Sequence, residues 1–177
     1  MNVDTENTTP AFTFDMAAHL PEDFSGSSKV WVYQADRIFT VSEALELEKV
    51  FEDFINSWKS HGEPVKGFAG LFFGRFIILM ADETETKVGG CSTDSSVAMI
   101  REIQKRYNTN LLNRQDLAFF IKGKPEVIPM QQLPYAVQHR FVQPSTLYFN
   151  NSITTKKDLL ENWVVPAENS WLKRYFV

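Results

Sequence analysis

Residues 65–82, with the sequence VKGFAGLFFGRFIILMAD, are more apolar and more aromatic than a single surface strand requires. Gly74 interrupts the run near its middle, and a glycine between two apolar stretches is typical of a hairpin turn. We therefore predict two paired strands, at about residues 66–72 and 75–82. The most apolar part, Phe76–Met80, has the length of a core strand and is far too short to cross a membrane.

The stretch before this hairpin predicts a strand followed by an amphipathic helix. Lys29–Thr40 is dense in β-branched and aromatic residues, which favours a strand. Thr40 and Glu43 have the spacing of a capping box, so we expect the helix to begin there. We expect it to end at His61-Gly62, just before Pro64. Its apolar side chains recur at helical spacing, and they are Leu47, Val50, Phe51, Phe54, Ile55 and Trp58.

The stretch after the hairpin, GGCSTDSSV at residues 89–97, leads into a second predicted helix at about 94–107. It holds two adjacent glycines, the single cysteine and several residue types that cap helices. The remaining predicted elements are a hairpin with arms at 117–121 and 126–130, a short strand at 146–150, a helix capped by Thr155 and a last turn capped by Ser170.

The order strand, helix, strand, strand, helix, strand is that of a ferredoxin-like βαββαβ sandwich. We therefore predict an α+β fold in which helices cover one face of a mainly antiparallel sheet, extended by C-terminal strands and a helix. Residues 1–28 contain no Lys or Arg, and we predict an acidic, partly flexible segment there. Residues 29–177 are predicted to form a single α+β domain.

Composition argues against several classes of partner. The chain of 177 residues is 44% hydrophobic, which is enough for a core, and its formal net charge of −4 does not favour nucleic acid. Residues 66–73 partly resemble an RNA-binding strand motif, but Gly70 stands where that motif needs an aromatic residue. No apolar run is long enough for a bilayer, so no membrane partner is expected.

Cysteine usage and the N-terminus indicate a compartment. Cys91 is the single cysteine, so no intramolecular disulfide can form. The N-terminus lacks the basic start and apolar stretch of a signal peptide. We therefore expect a soluble, cytoplasmic protein.

A cysteine-dependent hydrolase or transferase is one interpretation of the Gly-Gly-Cys stretch. If a helix begins close to Cys91, its free N–H groups and dipole favour a thiolate there. His61 is then the candidate base and Asp94 the candidate group that orients it. In the alternative interpretation, Cys91 is a small buried residue, Asp94 caps the helix and His61 belongs to a helix stop.

Binding of a small ligand or of a protein is the other interpretation, and it is our first choice. Gly89 and Gly90, followed by the hydroxyl residues Ser92 and Ser95, have the composition of an anion-binding helix start. Plain capping by Ser92 or Asp94 explains the same residues. No P-loop and no G-x-G-x-x-G motif is present, and neither a cofactor nor a metal ion is predicted.

A third interpretation is an interaction module or homodimer that uses aromatic residues near the C-terminus. If these side chains instead close the open end of the core, they are not available to a partner. The residues concerned are Tyr148, Trp163, Trp171, Tyr175 and Phe176.

Distinctive short motifs are spread over about residues 20–175. They are Leu20-Pro21, VWVYQADR at 30–37, Phe54 with Trp58 to Gly62, GCSTDSSV at 90–97, Arg114, FNN at 149–151 and Ser170-Trp171. Together they resemble an uncharacterised family of small Bacteroidetes proteins that is often labelled "ABC transporter ATPase". This chain departs from the family pattern in a longer N-terminal tail and in Gly89, where we expect Ser.

The family label does not fit this chain, because the chain has no Walker A motif. The resemblance therefore implies no established activity, but it does imply a focal site. The residues it singles out are Arg37 and Arg114 as anion clamps, His61 as a base, Cys91 as a thiolate, Asp94 as an orienting or capping group and Ser95 as a hydroxyl donor.

Overall fold

The structure is a computed structural model that describes residues 12–177, so the predicted flexible start at residues 1–11 lies outside the described residues. The helices are α1 (Val41–Ser57), α2 (Gly90–Tyr107), α3 (Leu133–Gln138) and α4 (Lys156–Asn162). The strands are β1 (Lys29–Gln34), β2 (Lys59–Ser60), β3 (Glu63–Pro64), β4 (Lys66–Phe72), β5 (Phe76–Asp82), β6 (Asp116–Ile121), β7 (Lys124–Pro129), β8 (Leu147–Phe149) and β9 (Val164–Pro166). Within residues 12–177, no helix has the length and hydropathy needed to cross a bilayer.

The strands form two main antiparallel sheets and a small hairpin. The first sheet has the strand order β1-β5-β4, and the second has the order β7-β6-β8-β9. The hairpin pairs β2 with β3. The predicted α+β class with antiparallel sheets is therefore confirmed, and the hairpin predicted at 66–82 is the β4-β5 pair, with Phe72 opposite Phe76.

A four-stranded ferredoxin-like sheet requires the strand after α2 to join the first sheet, and here it does not. That strand, β6, pairs with β7 and β8 instead. Another segment lies against the outer edge of β1 at its beginning, where the Val30 N–H donates to the Thr154 carbonyl at 2.9 Å. The elements keep the predicted order along the chain but divide between two sheets.

The two sheets pack face to face, and helices cover the outer face of each. Every residue of β5 is buried, which is expected for a strand with packing on both faces. Ile77 and Leu79 pack against α1 and α2, whereas the Phe76 ring faces the second sheet and stacks on Phe149 with centroids 4.7 Å apart. On the outer face of the second sheet, Phe119 packs in the cluster that includes α3.

The first helix begins as predicted and ends earlier than predicted. The Thr40 hydroxyl accepts from the Glu43 N–H, and the Glu43 carboxylate accepts from the Thr40 N–H, which confirms the capping box. α1 ends at Ser57, because the buried Trp58 is already extended. The expected helix stop His61-Gly62 is instead the turn of the β2-β3 hairpin, with φ of 52° and 86° at the two positions.

The segment before β1 is tied to the core by a buried lysine. Leu20 and Phe24 are buried in the cluster between the two sheets. The Lys156 ammonium group, at the first residue of α4, donates to the carbonyls of Pro21 at 2.6 Å and Phe24 at 2.9 Å. These bonds hold residues 21–24 against the domain.

Candidate functional site

The Gly-Gly-Cys stretch begins α2 four residues earlier than predicted. α2 starts at Gly90 and is preceded by Gly89, and no side chain caps it. The predicted caps Ser92 and Asp94 are therefore wrong. The Ser92 and Ser95 hydroxyls donate to the carbonyls of Gly89 and Cys91, at 2.8 Å each, so they bond backward within the helix.

The β2-β3 hairpin packs against this helix start. The Ser60 hydroxyl accepts from the Gly89 N–H at 3.2 Å, and the Trp58 indole N–H donates to the Ser92 carbonyl at 2.9 Å. A Cβ placed on Gly89 would stand 2.9 Å from Nε2 of His61, so the imidazole lies close to this position. The fold thus brings His61 to the beginning of α2.

Three predicted catalytic residues lie in this region without forming a bonded triad. Cys91 is exposed, so its interpretation as a small buried residue is wrong. His61 and Asp94 are also exposed. Within residues 12–177, no hydrogen bond joins the Cys91 thiol to His61 or His61 to Asp94.

Arg37 is far from the Gly-Gly-Cys stretch. Its guanidinium forms a forked pair with Glu43, both N–O distances being 2.8 Å, and it also donates to the Tyr107 carbonyl. The hydrogen bond from Arg37 lowers the pKa of Glu43 to about 2. Since Tyr107 ends α2, an 18-residue helix about 27 Å long separates Arg37 from Gly89. Arg37 joins the start of α1 to the end of α2, so the structure does not bring it to that stretch, and its role as an anion clamp stays a prediction.

Arg114 lies in a cleft between the two sheets. Two adjoining hollows, of about 210 and 600 Å³, share Val32, Arg114, Asn151 and Ser152 in their walls. We call the two hollows together the Arg114 cleft. Thr93 is the residue of the Gly-Gly-Cys stretch that lines this cleft, so the stretch borders the cleft rather than forming its centre.

Hydrogen-bonded amides form the inner wall of the Arg114 cleft. Gln34 donates from Nε2 to the Asp116 carbonyl at 3.2 Å and accepts at Oε1 from Asn151 Nδ2 at 2.9 Å. Asn151 Oδ1 in turn accepts from the Trp163 indole N–H at 3.0 Å. These bonds occupy the oxygen and nitrogen atoms of the Gln34 and Asn151 side-chain amides, and they join β1 to the second sheet.

Tyr148 lines the cleft, whereas Tyr33 lines neither hollow and packs with α1 and α2. Burial raises the pKa of Tyr33 above its ordinary value, and the charge of Arg114 and a hydrogen bond with Ser96 oppose that rise. Burial also raises the pKa of Tyr148, whose hydroxyl accepts from the Trp171 indole N–H at 3.1 Å. Both phenols are therefore neutral at ordinary pH and able to donate a hydrogen bond.

The predicted C-terminal aromatic surface is smaller than expected. Tyr148 and Trp163 are 5% and 2% exposed, so the interpretation of these two residues as surface aromatics is wrong. Trp163 fills the space between the two sheets, where it contacts Phe76 with ring centroids 5.2 Å apart. Trp171 is 39% exposed, and Tyr175 and Phe176 are half-buried.

Sequence reasoning missed the residues that build the inner wall, Gln34 and Asn151. The sequence signal that could have identified them is a polar side chain next to a run of apolar residues. Gln34 ends a strand rich in apolar residues, and Asn151 follows the buried pair Tyr148-Phe149. Of the predicted ligand-binding residues, Arg114 lines the cleft. Gly89, Gly90, Ser92 and Ser95 do not. Residues 12–177 contain no cluster of His, Cys, Asp and Glu able to hold a metal ion.

Comparison with known proteins does not extend these observations. No protein-family model matches the chain, and neither a curated protein nor a solved structure matches it. The resemblance to the Bacteroidetes family stays a prediction. Several motifs that carry it nevertheless meet at the Arg114 cleft, since Gln34, Arg114, Asn151 and Trp171 all line it.

Proposed function

We propose that this protein is a binding domain for a small anionic molecule, which it holds in the Arg114 cleft. The observation that carries the proposal is the position of Arg114, an exposed residue that lines both hollows. Among residues 12–177, no carboxylate lies within 4.0 Å of it, whereas Arg37 and Arg106 are paired with Glu43 and Glu46. A guanidinium that no carboxylate neutralises is suited to a carboxylate or phosphate ligand.

The remaining polar groups of the cleft also favour an acceptor-rich ligand. The Gln34 and Asn151 amides are occupied by each other and by their neighbours. The Tyr148 hydroxyl accepts from Trp171 and therefore has its own O–H to donate. Among residues 12–177, the two carboxylates that line the cleft are also bonded within the fold, since Asp116 accepts from Asn113 Nδ2 at 2.9 Å and Glu83 pairs with Lys29 at 3.1 Å. A reducing compartment such as the cytoplasm fits the single cysteine, and the proposal is for a protein that acts there.

Thermal unfolding of the full chain tests this proposal. The probes are inorganic phosphate, sulfate, malonate and succinate, each added at millimolar concentration at fixed ionic strength. A bound ligand raises the melting temperature, by about 2–4 °C for each kcal/mol of binding linkage in a domain of this size. Arg114→Gln is expected to abolish the shift. Arg101→Gln, which removes an exposed arginine of α2 outside the cleft, is expected to keep it.

Two results would count against the proposal. One is the same melting shift in Arg114→Gln as in the unmodified chain. The other is a shift with none of the probes together with unchanged indole fluorescence of Trp171, which lines the cleft. A Trp171→Phe variant identifies the contribution of that indole to the total fluorescence.

A second candidate function, thiol-dependent acyl transfer, is favoured by the contact of His61 with Gly89. That contact places an imidazole at the helix start that carries the exposed Cys91. The reaction would be attack of the thiolate on an ester carbonyl, departure of the alcohol and hydrolysis of the thioester by water. Hydrolysis of p-nitrophenyl acetate tests it: Cys91→Ser and His61→Ala must each abolish turnover, while His139→Ala must not.

A further inference from the structure

Among residues 12–177, the first sheet ends on one side in a strand whose outer edge pairs with no other strand. β4 is the terminal strand in the order β1-β5-β4. Within residues 12–177, its backbone forms ladder hydrogen bonds with β5 and with no strand on its other side. Proteins usually protect such an edge with charges, proline or a bulge, and the segment Gly67–Phe73 contains no charged residue and no proline.

The direction of each backbone group in β4 follows from one bond at the opposite edge of the sheet. The Val30 N–H leaves β1 outward, toward Thr154. Bonding directions alternate along an antiparallel strand, so the register carries this alternation through β5 into β4. The residues of β4 that bond β5 are therefore Phe68, Gly70 and Phe72, and those whose N–H and C=O groups point outward are Gly67, Ala69 and Leu71.

A groove runs along this edge. Its volume is about 620 Å³, and residues 67–73 form its floor. Phe51 and Ile55 of α1 stand on one side, and Phe14 and His19 of the N-terminal segment stand on the other. An edge strand beside a helix is the arrangement in which several peptide-binding domains add an extended peptide to their sheet.

The wall formed by α1 is acidic. Glu48 and Glu52 lie one helical turn apart, line the groove and are exposed. In the described part of the chain, neither carboxylate has a basic partner within 4.0 Å, in contrast to Glu43 and Glu46. The groove therefore offers main-chain bonds and apolar contacts on its floor and two uncompensated negative charges on its rim.

We propose that the β4 edge binds an extended, apolar segment of another protein that carries Lys or Arg beside its strand residues. The outward groups of Gly67, Ala69 and Leu71 supply the ladder bonds, and Glu48 and Glu52 select the basic residues. A second copy of this chain is the poorer occupant, because antiparallel pairing of two β4 strands places the carboxylates of both α1 helices on the same face of the joined sheet. This binding surface is separate from the Arg114 cleft and does not depend on it.

Amide hydrogen exchange of the full chain, followed by NMR, tests the proposal directly. The probe is the capped peptide Lys-Val-Thr-Val-Thr-Val-Lys, and the matched control is the same peptide with Glu in place of both Lys. In the free protein, we expect the amides of Gly67, Ala69 and Leu71 to exchange quickly. The Lys peptide is expected to slow these three amides, and to bind about three- to tenfold more tightly than the Glu peptide.

Charge reversal of the rim sharpens the test. The double variant Glu48→Lys and Glu52→Lys is expected to invert the preference, so that the Glu peptide becomes the tighter one. Asp53→Lys reverses a charge on the same helix outside the groove and should leave the preference unchanged. An inverted preference cannot result from a loss of folding, because a misfolded variant would bind neither peptide selectively.

Three outcomes would overturn the proposal. Slow exchange of the three amides in the free monomer would mean that the chain covers its own edge. Slow exchange that appears only with rising protein concentration, with a doubled mass in sedimentation, would make a second copy the occupant. Peptide binding that leaves these amides unchanged would place the peptide elsewhere. Each outcome is independent of the melting shifts that test Arg114.

Discussion

The Asn151 side-chain amide donates to the Gln34 side-chain oxygen at 2.9 Å, across 117 positions of sequence. Gln34 ends an edge strand of the first sheet, and Asn151 follows β8 of the second. The bond therefore joins the two sheets at the inner wall of the Arg114 cleft. The bond commits both amides, whereas Arg114, which also lines the cleft, has no carboxylate within 4.0 Å among residues 12–177.

Replacing Asn151 by Ala should destabilise the protein. The change leaves the Gln34 oxygen and the Trp163 indole N–H without partners in a buried setting, so we expect a loss of about 2–4 kcal/mol in the free energy of unfolding. Urea unfolding measures it as a lower midpoint with an unchanged slope. Asn162→Ala, which removes an exposed bond within α4, should change stability by less than about 0.5 kcal/mol. Equal losses in the two variants would contradict this account of the wall.

Acid should destabilise the fold partly through Asp82. Hydrogen bonds from the Thr84 hydroxyl and the Ser25 N–H lower the pKa of Asp82 from 3.8 to about 2. A carboxyl with a lower pKa in the folded than in the unfolded chain stabilises the fold fully above its unfolded pKa. That contribution is lost as the pH falls from about 4 through about 2. Urea unfolding between pH 2 and 6 should therefore show a steeper decline for the unmodified chain than for Asp82→Asn.

Parallel curves for the two proteins would show that Asp82 does not contribute to the pH dependence. At pH 7, Asp82→Asn should itself be less stable. An amide offers one acceptor oxygen where the carboxylate offers two, and both carboxylate oxygens accept hydrogen bonds in the fold.

Two glycine-to-alanine changes should have opposite effects. A Cβ on Gly67 would stand 2.6 Å from the Trp58 ring and 3.0 Å from the Ile55 methyl, so we expect Gly67→Ala to cost about 1–3 kcal/mol. A Cβ on Gly90 meets nothing within 4 Å, and Gly90 is the first residue of α2. Gly90→Ala should therefore stabilise the protein by about 0.4–1 kcal/mol. A destabilised Gly90→Ala variant would indicate that the second glycine has a role beyond the helix start.

The thiol of Cys91 should react in the folded protein. Because the residue is exposed and is the single cysteine, iodoacetamide should label the native chain once, at a rate within about tenfold of the rate in urea. Mass spectrometry of timed samples measures the labelling, and Cys91→Ser is the blank. Labelling that requires denaturant would show that Cys91 is inaccessible and would remove the acyl-transfer candidate. If His61→Ala leaves the labelling rate of the native protein unchanged, the imidazole does not influence the reactivity of the Cys91 thiol.

The sequence pattern predicted correctly those features that depend only on residues close together in the chain. The capping box at Thr40 and Glu43 involves residues three apart, and the turn at Gly74 depends on a backbone that accepts positive φ. The prediction for Ser92 and Asp94 was wrong because capping depends on where the helix starts. The contacts of Ser60 and His61 with Gly89 support a start at Gly90 instead.

The candidate site was less predictable, because its residues come from distant parts of the chain. The resemblance singled out Arg114 together with Arg37 as anion clamps, and nothing in its neighbours in the sequence distinguishes it from Arg37. Their different environments arise from packing: Glu43 and the end of α2 surround Arg37, whereas Arg114 faces a cleft. His61 lies 30 positions before Cys91 and reaches the same helix start because it stands in the two-residue turn of the β2-β3 hairpin, which packs against Gly89.

The sequence by itself determined the α+β class, the capped first helix, the central hairpin and the acidic character of residues 1–28, since each depends on neighbouring residues or on composition. Only the tertiary structure decided that β6 leaves the first sheet, that Gln34 and Asn151 meet, and that no strand within residues 12–177 covers the outer edge of β4. The physical reason is that strand pairing and face-to-face packing are settled by competition among distant segments. The bond from Val30 to Thr154, at the beginning of the outer edge of β1, is one result of that competition.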